Sequence, residues 1–321
     1  MTLFPAHLRT IVPALILAGL TAAAQPARAE PLTVLLDWFV NPDHAPLVVA
    51  KEHGFFAEQG LEVSLIAPAD PNDPPKLVAA GQAELAVSYQ PNLHLQVDQG
   101  LPLVRVGTLV ATPLNSVVVL ADGPIQTLAD LQGRTVGYSV GGFEDAVLGT
   151  MLESVGVEAD TITLVNVNFS LSPSILSGQV DAVVGAYRNF ELNQMDLVGR
   201  PGRAFYPEEH GVPLYDQLIL VAHRDSVGDP RLARFMEALE QATQYLINHP
   251  DESWALFIKA YPDLDDDLNH RAWADTLPRF ALRPAAVDGP RYARFSAFLA
   301  ERGLIEAPQP PERLAVDVRV E

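Results

Sequence analysis

The stretch LLDWFVNPDHAP, residues 35–46, contains the end of one apolar segment and the start of another. The apolar residues around its beginning predict a buried strand over Leu32–Asp37. Pro46 lies where the first turn of a helix is expected, so we predict a helix from about His44 to the break at Gly54. Short apolar strands alternate with amphipathic segments through the rest of the chain, which predicts an α/β fold with parallel strand pairing.

The strands and helices are predicted in two blocks, and the first block is interrupted. A strand near 117–121 leaves it and a strand near 217–222 returns to it, so the first lobe is expected to comprise residues 30–120 and 222–321, and the second 121–221. Two such connections form a hinge, with a ligand cleft between the lobes. Two tandem domains that fold independently are the alternative. Helices are predicted after the return, over residues 230–248, 251–261, 265–276 and 291–302.

Residues 1–29 have the features of a secretory signal peptide. His7 and Arg9 precede the apolar run Ile11–Leu20, and Ala27–Ala29 offers an A-x-A cleavage site. The apolar run is shorter than the roughly 20 residues that cross a bilayer, although an uncleaved membrane anchor remains the alternative. Cleavage would leave 292 of the 321 residues, enough for about two domains. The segment predicts an exported, periplasmic protein.

Charge and cysteine content exclude several functions. The formal net charge is −19, and it becomes −21 when Arg9 and Arg28 leave with the signal peptide. A surface this acidic repels phosphate backbones, so we expect no nucleic-acid partner. The chain has no cysteine, which excludes disulfides, thiol nucleophiles and thiolate metal sites. The eight histidines are scattered without HExxH spacing, and we expect no metal and no cofactor.

Polar and aromatic side chains are concentrated at four predicted strand ends. In doubly wound sheets, ligands bind beyond the carboxyl ends of the strands, so these side chains are expected to line one cleft. The four groups are Asp37, Trp38, Asn41 and His44; Tyr89 and Gln90; Gly141, Gly142, Phe143 and Glu144; and residues 187–191, from Tyr187 to Glu191.

Aromatic residues at these strand ends predict walls for a flat ligand. Trp38, Tyr89 and Tyr187 are the candidates, because aromatic faces bury a large area and lose few rotors on binding. Phe39, Phe143 and Phe190 are instead typical of a core position.

The sequence VGGFED, residues 140–145, places Gly141 and Gly142 before a predicted helix, an arrangement that often cradles an anion. Glu144 and Asp145 then occupy the first turn, where they complement the positive end of the helix dipole. A phosphate or sulfonate would meet two carboxylates, so the motif favours a neutral or weakly basic ligand. The alternative is that the glycines only permit a tight turn.

Several blocks of the mature chain resemble the exported substrate-binding proteins of ABC importers, in the group shared with fungal thiamin-pyrimidine synthases. The resemblance is greatest to bacterial proteins that bind N-formyl-4-amino-5-aminomethyl-2-methylpyrimidine; related members bind riboflavin or alkyl sulfonates. It extends from residue 31 to about residue 260. The blocks are LDWFVNPDHAPLVVAKEHGFFAEQGLEV (36–63), LVAAGQAELAVSYQPNL (77–93), DLQGRTVGYS (130–139), SGQVDAVVGAYRNFEL (177–192) and GVPLYDQLILVAHRD (211–225).

The resemblance implies the periplasmic binding protein type II fold, with two lobes joined by a two-strand hinge. It also implies that Glu191 binds the aminopyrimidine edge, since a carboxylate accepts from the exocyclic amine and pairs with a protonated ring nitrogen. A salt bridge from Glu191 to Arg188, three residues earlier, is the alternative. Asn41, Asp37 and Asn115 are candidates for the remaining polar edge.

Asp37 and His44 also have structural alternatives. Asp37 would cap the following helix or hold Asn41, and His44 would make a neutral hydrogen bond near the cleft or simply pack.

The leading hypothesis is a binding protein that closes on a small heterocycle and docks on an inner-membrane ABC permease. One rival is an exported enzyme acting on a pyrimidine or ester, with Asp37, His44 or Glu144 as acid or base. Another is a periplasmic sensor that binds the same ligand. A synthase of the fungal type is not expected, because the resemblance would imply a cysteine-rich motif that this chain lacks.

Overall fold

A computed structural model describes residues 1–2 and 29–319. The predicted signal peptide, residues 1–29, therefore lies almost entirely outside the described residues. The described chain forms two five-stranded sheets with helices packed on them, which confirms the predicted two-lobed α/β architecture. Within residues 29–319, none of the helices has the length and apolar character needed to cross a membrane.

Ten strands and twelve α-helices are present in the described residues. The strands are β1 (Glu30–Leu35), β2 (Leu61–Ile66), β3 (Leu85–Ser88), β4 (Leu103–Val110), β5 (Asn115–Leu120), β6 (Thr135–Tyr138), β7 (Thr163–Asn166), β8 (Ala182–Tyr187), β9 (Gly202–Phe205) and β10 (Leu218–His223). The helices are α1 (Ala45–His53), α2 (Phe55–Glu58), α3 (Pro74–Ala79), α4 (Gln90–Asp98), α5 (Phe143–Glu153), α6 (Leu171–Leu176), α7 (Glu191–Leu197), α8 (Pro230–Asn248), α9 (Pro250–Ala260), α10 (Asp267–Thr276), α11 (Gly289–Glu301) and α12 (Pro311–Leu314).

The first lobe is built on a sheet with strand order β2-β1-β3-β10-β4. β1 pairs in parallel with β2 and β3, and β10 runs antiparallel between β3 and β4. Leu85 and Val87 of β3 join one apolar cluster and Ala86 joins another, because alternate residues of a strand face opposite sides of a sheet. Every residue of β3 and β4 is buried, which agrees with a sheet covered on both faces.

The second lobe repeats this plan. Its strand order is β7-β6-β8-β5-β9, with β6 parallel to β7 and β8, and β5 antiparallel between β8 and β9. In each sheet, the antiparallel strand is the first strand after the chain crosses from the other lobe. The two expected connecting strands thus exist as β5 and β10.

The connections between the lobes lie at residues 111–114 and 206–217, between the strands of the two sheets. The expected lobe boundaries, at 120/121 and 221/222, would assign β5 to the first lobe and most of β10 to the second, whereas the strand pairing assigns them the other way round. β5 belongs to the second lobe because Val117 and Val119 pack on one face of its sheet and Val118 on the other. β10 likewise belongs to the first lobe from its first residue, Leu218.

Helix α11 contacts both lobes, although residues 222–321 were all expected in the first. Tyr292 joins an apolar cluster of the first lobe, whereas Phe295 and Leu299 are buried in the cluster that contains β5 and α5. The apolar side chains of α11 form one stripe, but some pack in the first core and others in the second. Sequence periodicity predicts the stripe and does not identify which core each side chain enters.

The predicted bounds of β1, α1 and the C-terminal helices hold to within two residues, and a short turn that was not predicted lies between β1 and α1. β1 ends at Leu35 and α1 begins at Ala45, because Asn41 first caps a short 3-10 turn over Pro42–His44. The C-terminal helices agree with their predicted ranges, and α8 matches its range of 230–248 in full.

Candidate functional site

A cavity lies between the lobes, at the carboxyl ends of β1, β3 and β8. The space between its walls amounts to about 580 Å³, part of it open solvent. We call it the interlobe cavity. Its lining residues are Asp37, Trp38, Asn41, Asp43, His44, Tyr89, Asn92, Asn115, Ser139, Val140, Phe143, Glu144, Leu171, Gly185, Tyr187, Phe190, Glu191 and Leu218.

Gly141 and Gly142 were predicted at the ligand but do not line the interlobe cavity, and neither do Gln90, Arg188 and Asn189 of the strand-end groups. The two glycines border a neighbouring cavity on the α3 and α4 side. Gly142 has a φ of 92°, a backbone conformation that favours glycine, so the tight-turn alternative accounts for it.

The Asp37 carboxylate is held by two donors. His44 Nε2 lies 2.8 Å from Oδ1, and the Tyr89 hydroxyl donates to Oδ2 at 2.8 Å. His44 Nδ1 accepts from the backbone N–H of Asn41, so the ring hydrogen is on Nε2 and points to Asp37. Asp37 therefore neither caps a helix nor holds Asn41, and His44 has both ring nitrogens occupied.

Asn41 has a structural role that uses both ends of its side chain. Its Oδ1 accepts from the backbone N–H of Asp43 at 2.8 Å, which caps the turn over Pro42–His44. Its Nδ2 donates to the carbonyl oxygen of Phe39 at 3.1 Å. Asn41 thus fixes the shape of the cavity wall.

Tyr89 and Tyr187 both border the interlobe cavity. Burial, together with the nearby Asp37 carboxylate, raises the pKa of both phenols well above the usual value, so both remain protonated at neutral pH. The Tyr187 hydroxyl also accepts from the side-chain amide of Gln217 at 3.0 Å.

Glu191 is buried at the start of α7 and borders the interlobe cavity. Its Oε2 accepts from the backbone N–H of Tyr187 at 2.6 Å. Burial raises the pKa of this carboxyl to about 7, although the hydrogen bond from Tyr187 opposes the shift. The alternative pairing with Arg188 is wrong, because Arg188 instead binds Glu208 through two nitrogens, at 2.7 and 3.1 Å.

Asp43 is a buried carboxylate of the cavity that sequence reasoning did not single out. Its Oδ1 accepts from Asn189 Nδ2 at 2.6 Å and from the Thr276 hydroxyl at 2.9 Å. Within the described residues, its Oδ2 is buried without a hydrogen-bond partner. Burial raises the pKa of Asp43 to about 6.

Glu144 lies in the first turn of α5, where its Oε2 accepts from the backbone N–H groups of Ser139 at 2.8 Å and Val140 at 3.1 Å. The preceding loop is therefore folded around this carboxylate. A Cβ atom at Gly185 would overlap Glu144 Oε1, so the close approach of β8 requires glycine.

Trp38 borders the cavity, and its ring belongs to a group of three aromatic rings that come from both lobes. The Trp38 ring lies edge-to-face on Phe169 at 4.6 Å between centroids, and Phe39 lies 4.5 Å from Phe169. Phe39 is 54% exposed and is not a core residue. Phe143 is buried in the core of the second lobe and also borders the cavity, while Phe190 borders it without being fully buried.

Asn115 adds a second acceptor that lacks a partner within the described residues, its Oδ1. Together with Asp43 Oδ2 and the carboxyl of Glu191, it makes this a cavity of aromatic faces and oxygen acceptors. Such a lining suits a flat molecule with N–H donors on its rim.

The lining residues missed by sequence reasoning fall into two kinds. Asp43 and Asn92 had a signal, since each lies beside a polar strand end. Leu171, Gly185 and Leu218 had none, because an apolar residue or a glycine in a strand does not reveal which cavity it borders. Among the described residues, no group of three or more His, Asp or Glu side chains is arranged to hold a metal ion.

Comparison with known proteins shows the family. Residues 41–253 match the model of the NMT1/THI5-like family, and the chain belongs to that family. A Haemophilus influenzae protein whose name refers to thiamine biosynthesis is 54% identical over 290 residues, which are 90% of this chain and 92% of that protein. The formylaminopyrimidine-binding protein of Halalkalibacterium halodurans is 40% identical over 226 residues, 70% of this chain and 68% of that protein.

More distant relatives include an enzyme. The 4-amino-5-hydroxymethyl-2-methylpyrimidine phosphate synthase of Legionella pneumophila is 24% identical over 261 residues, 80% of this chain and 82% of the enzyme. Among solved structures, the alkanesulfonate-binding protein SsuA of Xanthomonas axonopodis pv. citri superposes with a TM-score of 0.68 at 17% identity, over 92% of this chain and 98% of that chain. The chain therefore has the fold of ABC-type substrate-binding proteins.

Proposed function

We propose that this protein is the periplasmic substrate-binding protein of an ABC importer and that it binds N-formyl-4-amino-5-aminomethyl-2-methylpyrimidine for salvage. One observation carries the proposal: Trp38, Tyr187 and Glu191 border the same cavity between the two lobes. The 40% identical formylaminopyrimidine-binding protein supports the choice of ligand.

The chemistry of the cavity matches the edge of an aminopyrimidine. The exocyclic amine donates to oxygen acceptors, and the neighbouring ring nitrogen needs a shared proton. Glu191, with a pKa raised to about 7, exchanges that proton near neutral pH. Trp38 and Tyr187 supply apolar faces for the ring.

Binding rather than catalysis is the better account of Asp37 and His44. Both carboxylate oxygens of Asp37 accept from side chains, and both nitrogens of His44 are hydrogen-bonded. A general base needs an open position within reach of the proton it removes, and His44, with both ring nitrogens hydrogen-bonded, has none. The chain also lacks cysteine for a synthase of the fungal type.

A permease of the inner membrane is the proposed partner. Ligand held between two lobes favours the closed form by its differential affinity for that form, and the closed form would dock on the permease. Riboflavin, a sulfonate and a sensor role are the competing possibilities that the experiment separates.

The experiment is a ligand panel measured on the purified mature chain. Formylaminopyrimidine, thiamin, riboflavin and taurine are each titrated by calorimetry and by thermal shift, with mass spectrometry of the mixture afterwards. We expect selective binding of formylaminopyrimidine without turnover, and a stabilisation of about 2.7 kcal/mol at a hundredfold excess over Kd. A shift with taurine alone or riboflavin alone would refute the ligand, and product formation would refute the binding role.

A companion experiment tests the partner. The ligand-loaded protein is added to the permease from the same operon in proteoliposomes, and ATP hydrolysis is measured. Stimulation by the loaded protein supports the importer, whereas stimulation of a membrane kinase instead would support the sensor.

A further inference from the structure

We propose that Asn92 is a ligand-binding residue whose side-chain amide donates to the carbonyl oxygen of an acylamino arm on the ligand. The arm extends from the interlobe cavity into the neighbouring cavity that Gly141 and Gly142 border. The inference rests on the proposed function and goes further by naming a ligand class, aminopyrimidines that carry an acylated aminomethyl arm. The formyl compound is the smallest member of that class.

Asn92 lies where the two cavities adjoin. It is in the first turn of α4, the helix that follows β3, and it borders both cavities together with Tyr89 and Val140. Only 7% of the residue is exposed. A ligand that reaches from one cavity into the other therefore passes Asn92.

Within residues 29–319, the side-chain amide of Asn92 has no hydrogen-bond partner. Its oxygen and nitrogen keep some accessible surface, in contrast to Asp43 Oδ2 and Asn115 Oδ1, which are buried without a partner. Since Asn92 is nine-tenths buried and borders two cavities, that surface faces the cavities. An amide withdrawn from bulk water gains from a new partner, and a ligand in the cavity supplies one.

A carbonyl oxygen on the ligand needs a donor, and several side-chain donors of the interlobe cavity are already used. The Tyr89 hydroxyl donates to a carboxylate. Asn41 Nδ2 and the Ser139 hydroxyl each donate to a backbone carbonyl oxygen. In the described part of the chain, the two hydrogens of Asn92 Nδ2 have no acceptor, so this nitrogen can take the ligand carbonyl.

The neighbouring cavity differs from the interlobe cavity in charge. Four carboxyl groups border the interlobe cavity: those of Asp37, Asp43, Glu144 and Glu191. Of the described residues that border the neighbouring cavity, none is Asp or Glu, in a chain with 40 acidic residues. Ser88 Oγ and Gln96 Oε1 belong to residues that border it, and both atoms are buried without a partner. A neutral polar arm suits this lining, whereas a carbonyl oxygen among the carboxyl groups would face other acceptors.

The size of the neighbouring cavity extends the class beyond the formyl compound. The space between its walls amounts to about 940 Å³, part of it open solvent. A formyl group ends in a single hydrogen, so it leaves room for a longer acyl chain. With the carbonyl at Asn92, the alkyl end of an acetyl or butanoyl arm would lie toward Leu95 and Leu101, apolar residues of that cavity.

Titration calorimetry of the purified mature chain tests the inference with two ligands, formylaminopyrimidine and 4-amino-5-butyl-2-methylpyrimidine. The arm of the butyl compound has as many heavy atoms but no carbonyl and no N–H. Asn92→Leu removes the amide at similar volume, and Asn92→Asp keeps an acceptor while removing the donor. Gln99→Leu is the control, because Gln99 is exposed and borders the neighbouring cavity but not the interlobe cavity.

We expect Asn92→Leu to lose about tenfold in affinity for the formyl compound and to bind the butyl compound at least as well as the unchanged protein does. Asn92→Asp should lose at least as much as Asn92→Leu for the formyl compound near neutral pH, since a carboxylate would face the ligand carbonyl. Gln99→Leu should bind the formyl compound as the unchanged protein does. The N-acetyl and N-butanoyl compounds should bind the unchanged protein within about tenfold of the formyl compound.

Unchanged affinity, or an equal loss for both ligands, in Asn92→Leu would overturn the inference, because a lost hydrogen bond affects only the formyl compound. Full affinity of Asn92→Asp for the formyl compound would overturn the donor role. An N-butanoyl compound that binds more than about tenfold more weakly would overturn the direction of the arm. If Asn92→Leu does not fold, Asn92→Ala provides the same comparison. Absence of formylaminopyrimidine binding by the unchanged protein contradicts the proposed function instead, so the two failures are distinguishable.

Discussion

The side-chain amide of Asn189 donates to Asp43 Oδ1 at 2.6 Å, and this hydrogen bond joins the second lobe to the first. The same carboxylate oxygen accepts from Thr276 at the end of α10. Asp43 and the bond lie beside the interlobe cavity, so one of the contacts between the lobes involves a buried carboxyl.

Replacing Asp43 with Asn tests the cost of that charge. The pKa of Asp43 is raised from 3.8 to about 6, so the folded state binds its proton more tightly than the unfolded state. This group's contribution to stability is therefore complete below about pH 4 and is lost as the pH rises to about 6. The slope is at most about 1.4 kcal/mol per pH unit.

Urea denaturation at pH 4.5, 5.5 and 7.5 measures the effect. We expect Asp43→Asn to gain stability relative to the unchanged protein as the pH rises, because an amide does not titrate and its NH₂ can face the side where Oδ2 lacks a partner. A constant difference between the two proteins across this range would contradict the raised pKa.

Glu191→Gln should change how ligand binding depends on pH. Binding of the aminopyrimidine edge needs one proton, shared by the ring nitrogen and a carboxyl whose pKa is raised to about 7. Affinity of the unchanged protein should fall as the pH rises above about 7. The amide variant should lack that fall and bind about tenfold more weakly at pH 6, since a charge-assisted bond is lost. Titration calorimetry between pH 6 and 8.5 checks this, and identical pH profiles would exclude Glu191 from the binding edge.

Phe169→Ala removes the second-lobe ring that lies against Trp38, a residue of the cavity wall, without removing Trp38. Aromatic contacts of this kind contribute about 0.5–1.5 kcal/mol, so we expect ligand to dissociate about twofold to tenfold faster. Stopped-flow fluorescence measures the rate. The control is Phe55→Ala, a ring of the first lobe that contacts His53 and Tyr245. Equal effects of the two substitutions would show that the contact of Phe169 with Trp38 does not retain the ligand.

Polar or aromatic residues that follow a strand were predicted to lie together, and several of them border one cavity. Asp37, Tyr89 and Tyr187 lie at the ends of β1, β3 and β8, and the topology of parallel sheets brings such ends together. The same rule does not reveal which of these side chains also hold the wall together. Asn41, expected at the ligand, borders the cavity and also caps the turn over Pro42–His44.

Contacts between residues far apart in the sequence could not be predicted. Glu191 and Arg188 have the spacing of a helical ion pair, but Glu208, 20 residues from Arg188, binds Arg188 instead. The lobe boundaries differed for the same reason, because membership of a sheet is decided by strand pairing and not by local composition.

Gly185→Ala should destabilise the fold through the Glu144 carboxylate. Gly185 has a φ of 92°, and its missing Cβ leaves room for Glu144 Oε1. Gly178→Ala is the matched control, since its φ is 75° and a Cβ there meets nothing within 4 Å. The control should lose about 1–2 kcal/mol of unfolding free energy from backbone strain alone.

Gly185→Ala should lose at least about 1–3 kcal/mol more, because displacing Glu144 also leaves the N–H groups of Ser139 and Val140 without their acceptor. Urea denaturation of both variants provides the comparison, and a double variant with Glu144→Ala separates the two contributions. If relief of the overlap is the main factor, Gly185→Ala costs little more than the control once Glu144 is absent. A full extra cost in that background would place the strain in the β8 backbone and not at the cavity wall.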